Sequence, residues 1–102
     1  MENVGWLEDI ELLKKLVVGI GEVSEITGVP QRQIRYWESK GLIQPVDALS
    51  SVRRYNYTTI KKIILIKELL DEGFTLDAAS QKVTKRIEVL NRAFDKLKKS
   101  NK

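Results

Sequence analysis

Apolar residues along the chain recur in helix-length stripes, interrupted by one short run with strand character. Trp6, Ile10, Leu13 and Val17 recur at spacings of four, three and four, and Leu12 and Leu16 widen the stripe, so a helix is predicted from about Trp6 to Val18, ended by Gly19. Ile20 to Thr27 reads as a second, short helix with Val23 and Ile26 facing inward. Gly28 supplies a sharp turn, and Pro30 sets the entry to a helix over Gln31 to Ser39 whose apolar residues, Ile34 and Trp37, share one face. Gly41 stands where a left-handed C-cap belongs. Leu42 to Leu49 is irregular, with Pro45 preventing helix continuation, and Val52 to Tyr57 is β-branched and aromatic enough for a strand. Thr58 or Thr59 can cap the next helix, which runs through Ile60, Ile63, Ile64, Ile66, Leu69 and Leu70 to Gly73. Thr75 is placed to cap a further helix, with Asp77 in its first turn. From Val83 a seam of Val83, Ile87, Leu90, Phe94 and Leu97 follows spacings of four, three, four and three. It is too short for an independent coiled coil, and Lys98 to Lys102 reads as a frayed tail.

Charge adds a direction to this helical pattern. Eighteen Lys and Arg against fourteen Asp and Glu give a net charge of +4, a mild excess on its own. Its distribution is regional. Between Pro30 and Lys67 stand Arg32, Arg35, Lys40, Arg53, Arg54, Lys61, Lys62 and Lys67 against only Glu38 and Asp47, whereas Glu68 to Gln81 holds four acids and no base. One basic face is what a polyanionic partner requires. The chain has no Cys and no His, which excludes disulfides, Cys- or His-ligated metal and haem sites, and Ser-His or Cys-His nucleophiles. No catalytic residue, metal site or cofactor is expected: Glu22 and Glu25 lie on a short helix with no pocket signal beside them. With no signal peptide and no run near the ~20 apolar residues of a membrane span, the expected location is the cytoplasm.

Two constellations carry chemistry. Ile20 to Lys40 has the form of a helix-turn-helix, two short helices about a glycine turn. Its second helix presents Gln31, Arg32, Arg35 and Tyr36 opposite Ile34 and Trp37, a side-chain set suited to base edges and phosphates in a major groove. Arg53, Arg54 and Tyr55, with Tyr57 nearby, form the second, an arginine-bearing strand suited to a phosphate backbone. Each also has a plain structural reading: a helical hairpin with a solvated face, and a surface hairpin with solvated charges and a Tyr closing the core.

Taken in order, these residues resemble a known family. The run from Ile20 to Val29 (IGEVSEITGV), Arg32, Arg35-Tyr36-Trp37-Glu38 and Gly41-Leu42-Ile43-Gln44-Pro45 resembles the winged-helix domain of the MerR family, with its I-G-E-x-A-x-x-T-G-V, R-x-x-R-Y-Y-E and G-L-L/I-x-P motifs. Arg53-Arg54-Tyr55 matches the family's R-x-Y wing, Thr59 to Ile66 loosely matches its next helix, and Gly73-Phe74-Thr75-Leu76 matches its G-F-S/T-L turn, so the resemblance covers about Ile20 to Val83. The preceding helix resembles the GlnR/TnrA-like branch, where such a segment assists dimerisation.

The resemblance implies a mainly α fold, a winged helix-turn-helix with a short β wing and flanking N- and C-terminal helices. The organisation expected is residues 1–19 as an amphipathic dimerisation helix, 20–83 as the DNA-binding domain, and 84–102 as a C-terminal helix and basic tail. The function implied is a sequence-specific transcriptional regulator that binds a pseudo-palindromic operator in double-stranded DNA as a homodimer. Gln31, Arg32, Arg35, Tyr36, Arg53, Arg54 and Tyr55 are then the DNA contacts, with Lys82 or Lys85 as further phosphate partners. Trp6, Ile10, Leu13, Val17, Ile87, Leu90 and Phe94 are the dimerisation candidates. Trp37 replaces the family's second Tyr and is assigned to the core; Pro30 replaces a Ser or Thr cap; Ser51-Val52 replaces a Gly-Tyr before the wing. At 102 residues the chain is expected to lack the long coil and effector domain of larger regulators. An architectural, excisionase-like DNA-binding protein, a protein-interaction module and an unidentified protein co-regulator remain open.

Overall fold

A computed structural model of the chain describes residues 11–13, 15–47 and 51–100. Two strands and four helices follow one another as β1 (Val17–Gly19), α1 (Ile20–Thr27), α2 (Gln31–Ser39), β2 (Arg54–Asn56), α3 (Tyr57–Asp71) and α4 (Leu76–Ser100), with residues 11–13 and 15 also helical. This mainly helical arrangement with a small antiparallel sheet is a winged helix-turn-helix.

The turn between α1 and α2 forms as its sequence dictates. Gly28 sits at φ 77°, a left-handed conformation that costs glycine little. Three short polar bonds close it: Thr27 Oγ1 donates to the Val23 carbonyl at 2.8 Å, Val29 N donates to Thr27 Oγ1 at 3.1 Å, and Ser24 Oγ donates to the Val29 carbonyl at 2.7 Å. Pro30 is the N-cap of α2 and offers no side-chain acceptor. Its carbonyl receives Gln33 N and Ile34 N at 3.0 and 3.1 Å, so the helix starts without a Ser or Thr cap. At the far end Gly41, at φ 78°, lets Leu42 N return to the Trp37 carbonyl at 3.0 Å. Thr75 caps α4 as expected, its hydroxyl accepting Ala78 N at 3.2 Å.

Several boundaries differ from expectation. Val17 to Gly19 do not extend a helix. They pair antiparallel with β2 in the register Val17–Asn56, Val18–Tyr55 and Gly19–Arg54. Two adjacent β-branched residues before a glycine are poor helix formers, and pairing satisfies their backbone groups. Val17, expected on a helical dimer seam, is therefore a half-buried strand residue. The predicted strand over Val52 to Tyr57 contracts to three residues because Asn56 takes the capping role assigned to Thr58 or Thr59: its Oδ1 accepts Thr59 N at 3.1 Å and Tyr57 opens α3. Ile26, expected inside, is 58% exposed. The expected break between residues 83 and 84 falls inside one continuous 25-residue helix, α4.

The core gathers Val23 from α1, Ile34 and Trp37 from α2, Ile43 from the segment after it, Tyr55 from β2, Ile63 and Ile66 from α3, and Ala79 and Val83 from α4. Ile87 packs against its edge, so this candidate seam residue is shared with the domain's own interior. Leu13 and Leu90 are exposed. Trp6, Ile10 and the side chain of Phe94 lie outside the described residues.

Trp37, 1% exposed, is the largest side chain of this core. Replacing Trp37 with Ala is expected to destabilise the domain by roughly 3–5 kcal/mol, read as a fall in the denaturant midpoint.

Candidate nucleic-acid interface

Helix α2 divides its nine residues between two tasks. Ile34 and Trp37, three apart, are buried; Gln31, Arg32, Arg35 and Tyr36 are all exposed. Tyr36 is 54% exposed, and Lys40 Nζ stands 5.5 Å from its ring centroid, a cation–π contact that stiffens both side chains. Tyr36, Pro30, Arg32 and Gln33 line a shallow depression of about 440 Å³.

The second cationic element follows α2 in the chain and folds back against it. Val46 N donates to the Arg54 carbonyl at 2.8 Å, closing the wing, and Thr59 Oγ1 donates to the Gln44 carbonyl at 3.1 Å, fixing the wing's first residues to α3. Arg53 and Arg54 are exposed at its returning edge. Tyr55 is not. It is fully buried, and its hydroxyl donates to Glu38 Oε1 at 2.8 Å. The residue expected to touch DNA instead serves the core, because strand alternation turns it inward between outward-facing neighbours.

Glu38 joins the two elements. Its second oxygen pairs with Arg53 Nε at 2.8 Å. Burial raises the Tyr55 hydroxyl from 10.0 to about 12; the hydrogen bond to Glu38 and its negative charge add to this, while the positive charges of Arg53 and Arg35 oppose it. Arg35 of α2 and Arg53 of the wing thus both act on one phenol. Among the sequence expectations Glu38 was only a counter-charge. One of just two acids in a strongly cationic stretch, adjoining the buried Trp37, was the available signal that it is paired.

Other cations of that stretch point elsewhere. Lys62 is half-buried, its ammonium held below the usual lysine range by burial and partly restored by Glu88 of α4. Lys67 pairs with Asp71 at 3.2 Å. Lys82 lies 5.2 Å from the Phe74 ring centroid and, with Lys85, Arg86, Glu68 and Glu72, rims a groove of about 480 Å³ between α3 and α4. Among the described residues no group of three or more His, Cys, Asp or Glu could hold a metal ion, and no helix is long and apolar enough to cross a membrane.

A helix-turn-helix with a wing returning onto its second helix agrees with sequence comparison: the profile of the MerR HTH family regulatory proteins matches residues 19–85. The chain belongs to the MerR family. The matched span includes Gly19 of β1 and closes two residues beyond the buried Val83. Relatives include the HTH-type transcriptional regulator TnrA of Bacillus subtilis, 36% identical over 66 residues, which make up 65% of this chain and 60% of TnrA. GlnR of Bacillus anthracis is 34% identical over 62 residues, 61% of this chain and 48% of GlnR. HmrR of Sinorhizobium medicae is 38% identical over 61 residues, 59% of this chain and 42% of HmrR. The chain therefore spans about half the length of the curated relatives it matches. In three dimensions it resembles the crystal structure of a MerR-family transcriptional regulator from Bacillus cereus, with a TM-score of 0.63 at 22% identity over 83% of this chain and 66% of that one. That likeness is one of fold. In this MerR-type domain the polar face of α2 and the wing's arginine edge are both left outside the core.

The raised Tyr55 hydroxyl makes stability depend on pH. The phenol holds its proton more tightly folded than unfolded, so this contribution is complete below pH 10.0 and is lost as pH climbs toward about 12. Unfolding measured across that window is expected to show the loss in the wild type, and a flatter profile in Tyr55→Phe. That variant also gives up the Glu38 hydrogen bond, at about 1 kcal/mol near neutral pH.

Proposed function

We propose that this chain is a transcriptional regulator whose MerR-type domain binds double-stranded DNA, reading a pseudo-palindromic site as a homodimer in the cytoplasm. The observation that carries the reading is the division of α2. A face of Gln31, Arg32, Arg35 and Tyr36 is exposed while Ile34 and Trp37 root the same helix in the core, and Arg53 and Arg54 stand beside it on the wing. Arg and Gln can each make two hydrogen bonds to one base edge, to guanine and adenine respectively. Phosphate contacts from Arg53 and Arg54 would set the register of the helix without reading sequence. The relatives' names as HTH-type transcriptional regulators support the same reading.

Dimerisation is supported by apolar side chains left outside the core. Leu12, Leu13 and Leu16 are exposed before β1, and Val89 and Leu90 are exposed on α4 beyond the edge residue Ile87. Paired recognition helices would meet half-sites one helical turn or a multiple apart.

Selection of bound duplexes from a random library tests the reading directly and returns the half-site spacing. Against a selected duplex, Arg35→Ala is expected to lose about 1–3 kcal/mol of binding with an unchanged unfolding midpoint. Arg53→Ala is expected to weaken random as well as selected duplexes and to lower the slope of log affinity against log salt by about one. Failure of any duplex to bind at low salt refutes the proposal and leaves a protein-interaction module in its place. Sedimentation is expected to give a dimer, and Leu90→Glu to shift it toward monomer if the α4 seam is the contact.

A further inference from the structure

We propose that Glu38 is a positioning residue of the interface, strapping the wing to the recognition helix by holding Arg53 with one carboxylate oxygen and Tyr55 with the other. This rests on the reading of α2 and the wing as a DNA-binding surface.

The geometry is specific. Glu38 Oε2 lies 2.8 Å from Arg53 Nε, and Glu38 Oε1 accepts the Tyr55 hydroxyl at 2.8 Å. The two partners sit on the wing's returning edge, Tyr55 seventeen residues away in sequence, so a single side chain spans from α2 to the wing. The Glu38 side chain is only 17% exposed, which strengthens charge-assisted bonds that water would otherwise weaken. Its position is otherwise an unfavourable one for a carboxylate. It lies in the last turn of α2, where unpaired carbonyls favour a cation, and the helix has no basic residue there. It also subtracts positive charge from the surface that would attract phosphate. Both costs are offset only by what the carboxylate holds.

The wing is already attached to α3 through the Thr59–Gln44 bond and closed on itself through the Val46–Arg54 bond. Glu38 adds the connection to α2. With it, the distance between base-reading and phosphate-holding side chains is set before DNA arrives. Without it, Arg53 keeps its charge and loses this bond to the helix. General affinity and register are therefore opposed at this residue: the carboxylate lowers the first to secure the second.

That opposition defines the test. Glu38→Gln keeps size and polarity while removing the charge. It is expected to weaken a selected duplex roughly tenfold while a random duplex binds as well or more tightly, with a salt slope steeper by about one. In an Arg53→Gln background, the same change should no longer weaken the selected duplex, because the charge of Glu38 acts on Arg53 while an amide oxygen still accepts the Tyr55 hydroxyl. Equal weakening of both duplexes, or an undiminished effect without Arg53, overturns the proposal. Amide hydrogen exchange over residues 44–56 judges the strap without DNA: faster exchange in Glu38→Gln supports it, and unchanged exchange overturns it. A wild type that prefers no duplex would instead refute the DNA-binding reading, leaving the exchange result to decide the strap alone.

Discussion

A helix of nine residues that must be both core and surface is the constraint on which the rest of this fold depends. At about 1.5 Å per residue, α2 is little more than 13 Å long. Only Ile34 and Trp37 reach the interior, so two side chains resist any rotation of the helix about its axis. The surroundings compensate. The Ser24 and Thr27 hydroxyls brace the turn before α2, Gly41 closes it behind, and Val23, Ile43, Ile63 and Ile66 complete the interior that receives the two anchors. A longer helix would be held by more contacts; this one is held by what bounds it.

Much of this was legible along the chain, for identifiable reasons. Gly28 and Gly41 announced left-handed positions that the backbone does adopt, and the spacing of Ile34 and Trp37 assigned them to one buried face. Pairing between distant segments was not legible. Val17 and Val18 continued a helical stripe by spacing, yet their partner strand lies thirty-odd residues later, and only that partner makes the extended form favourable. Tyr55 was misassigned for a related reason. Two arginines beside a tyrosine describe an exposed wing and an alternating strand equally well, and the acceptor that distinguishes them, Glu38, belongs to another element. Asn56 displaced the threonines as cap because its side chain reaches a backbone N–H three residues on, a competition that composition alone does not rank.

The charge pattern also changed meaning once folded. A stretch of eight cations suggested one basic face. Helical geometry disperses part of it: Lys62 turns toward α4, and Lys67 pairs with Asp71 one turn on. What stays together is the smaller group on α2 and the wing edge, with an acid at its centre. A count of charges measures attraction at a distance, whereas the folded arrangement decides which charges can be in contact with the same object.

The two-strand sheet carries a further consequence. Because β1 precedes the helix-turn-helix yet pairs with β2 residue for residue, the segment before α1 is joined to the wing as directly as to the helix it leads into. Gly19 lies opposite Arg54, and Val18 opposite the buried Tyr55. The chain ahead of β1 thus enters a backbone unit that it shares with the wing's arginine-bearing edge, and it meets that edge before it meets the helix that the wing accompanies.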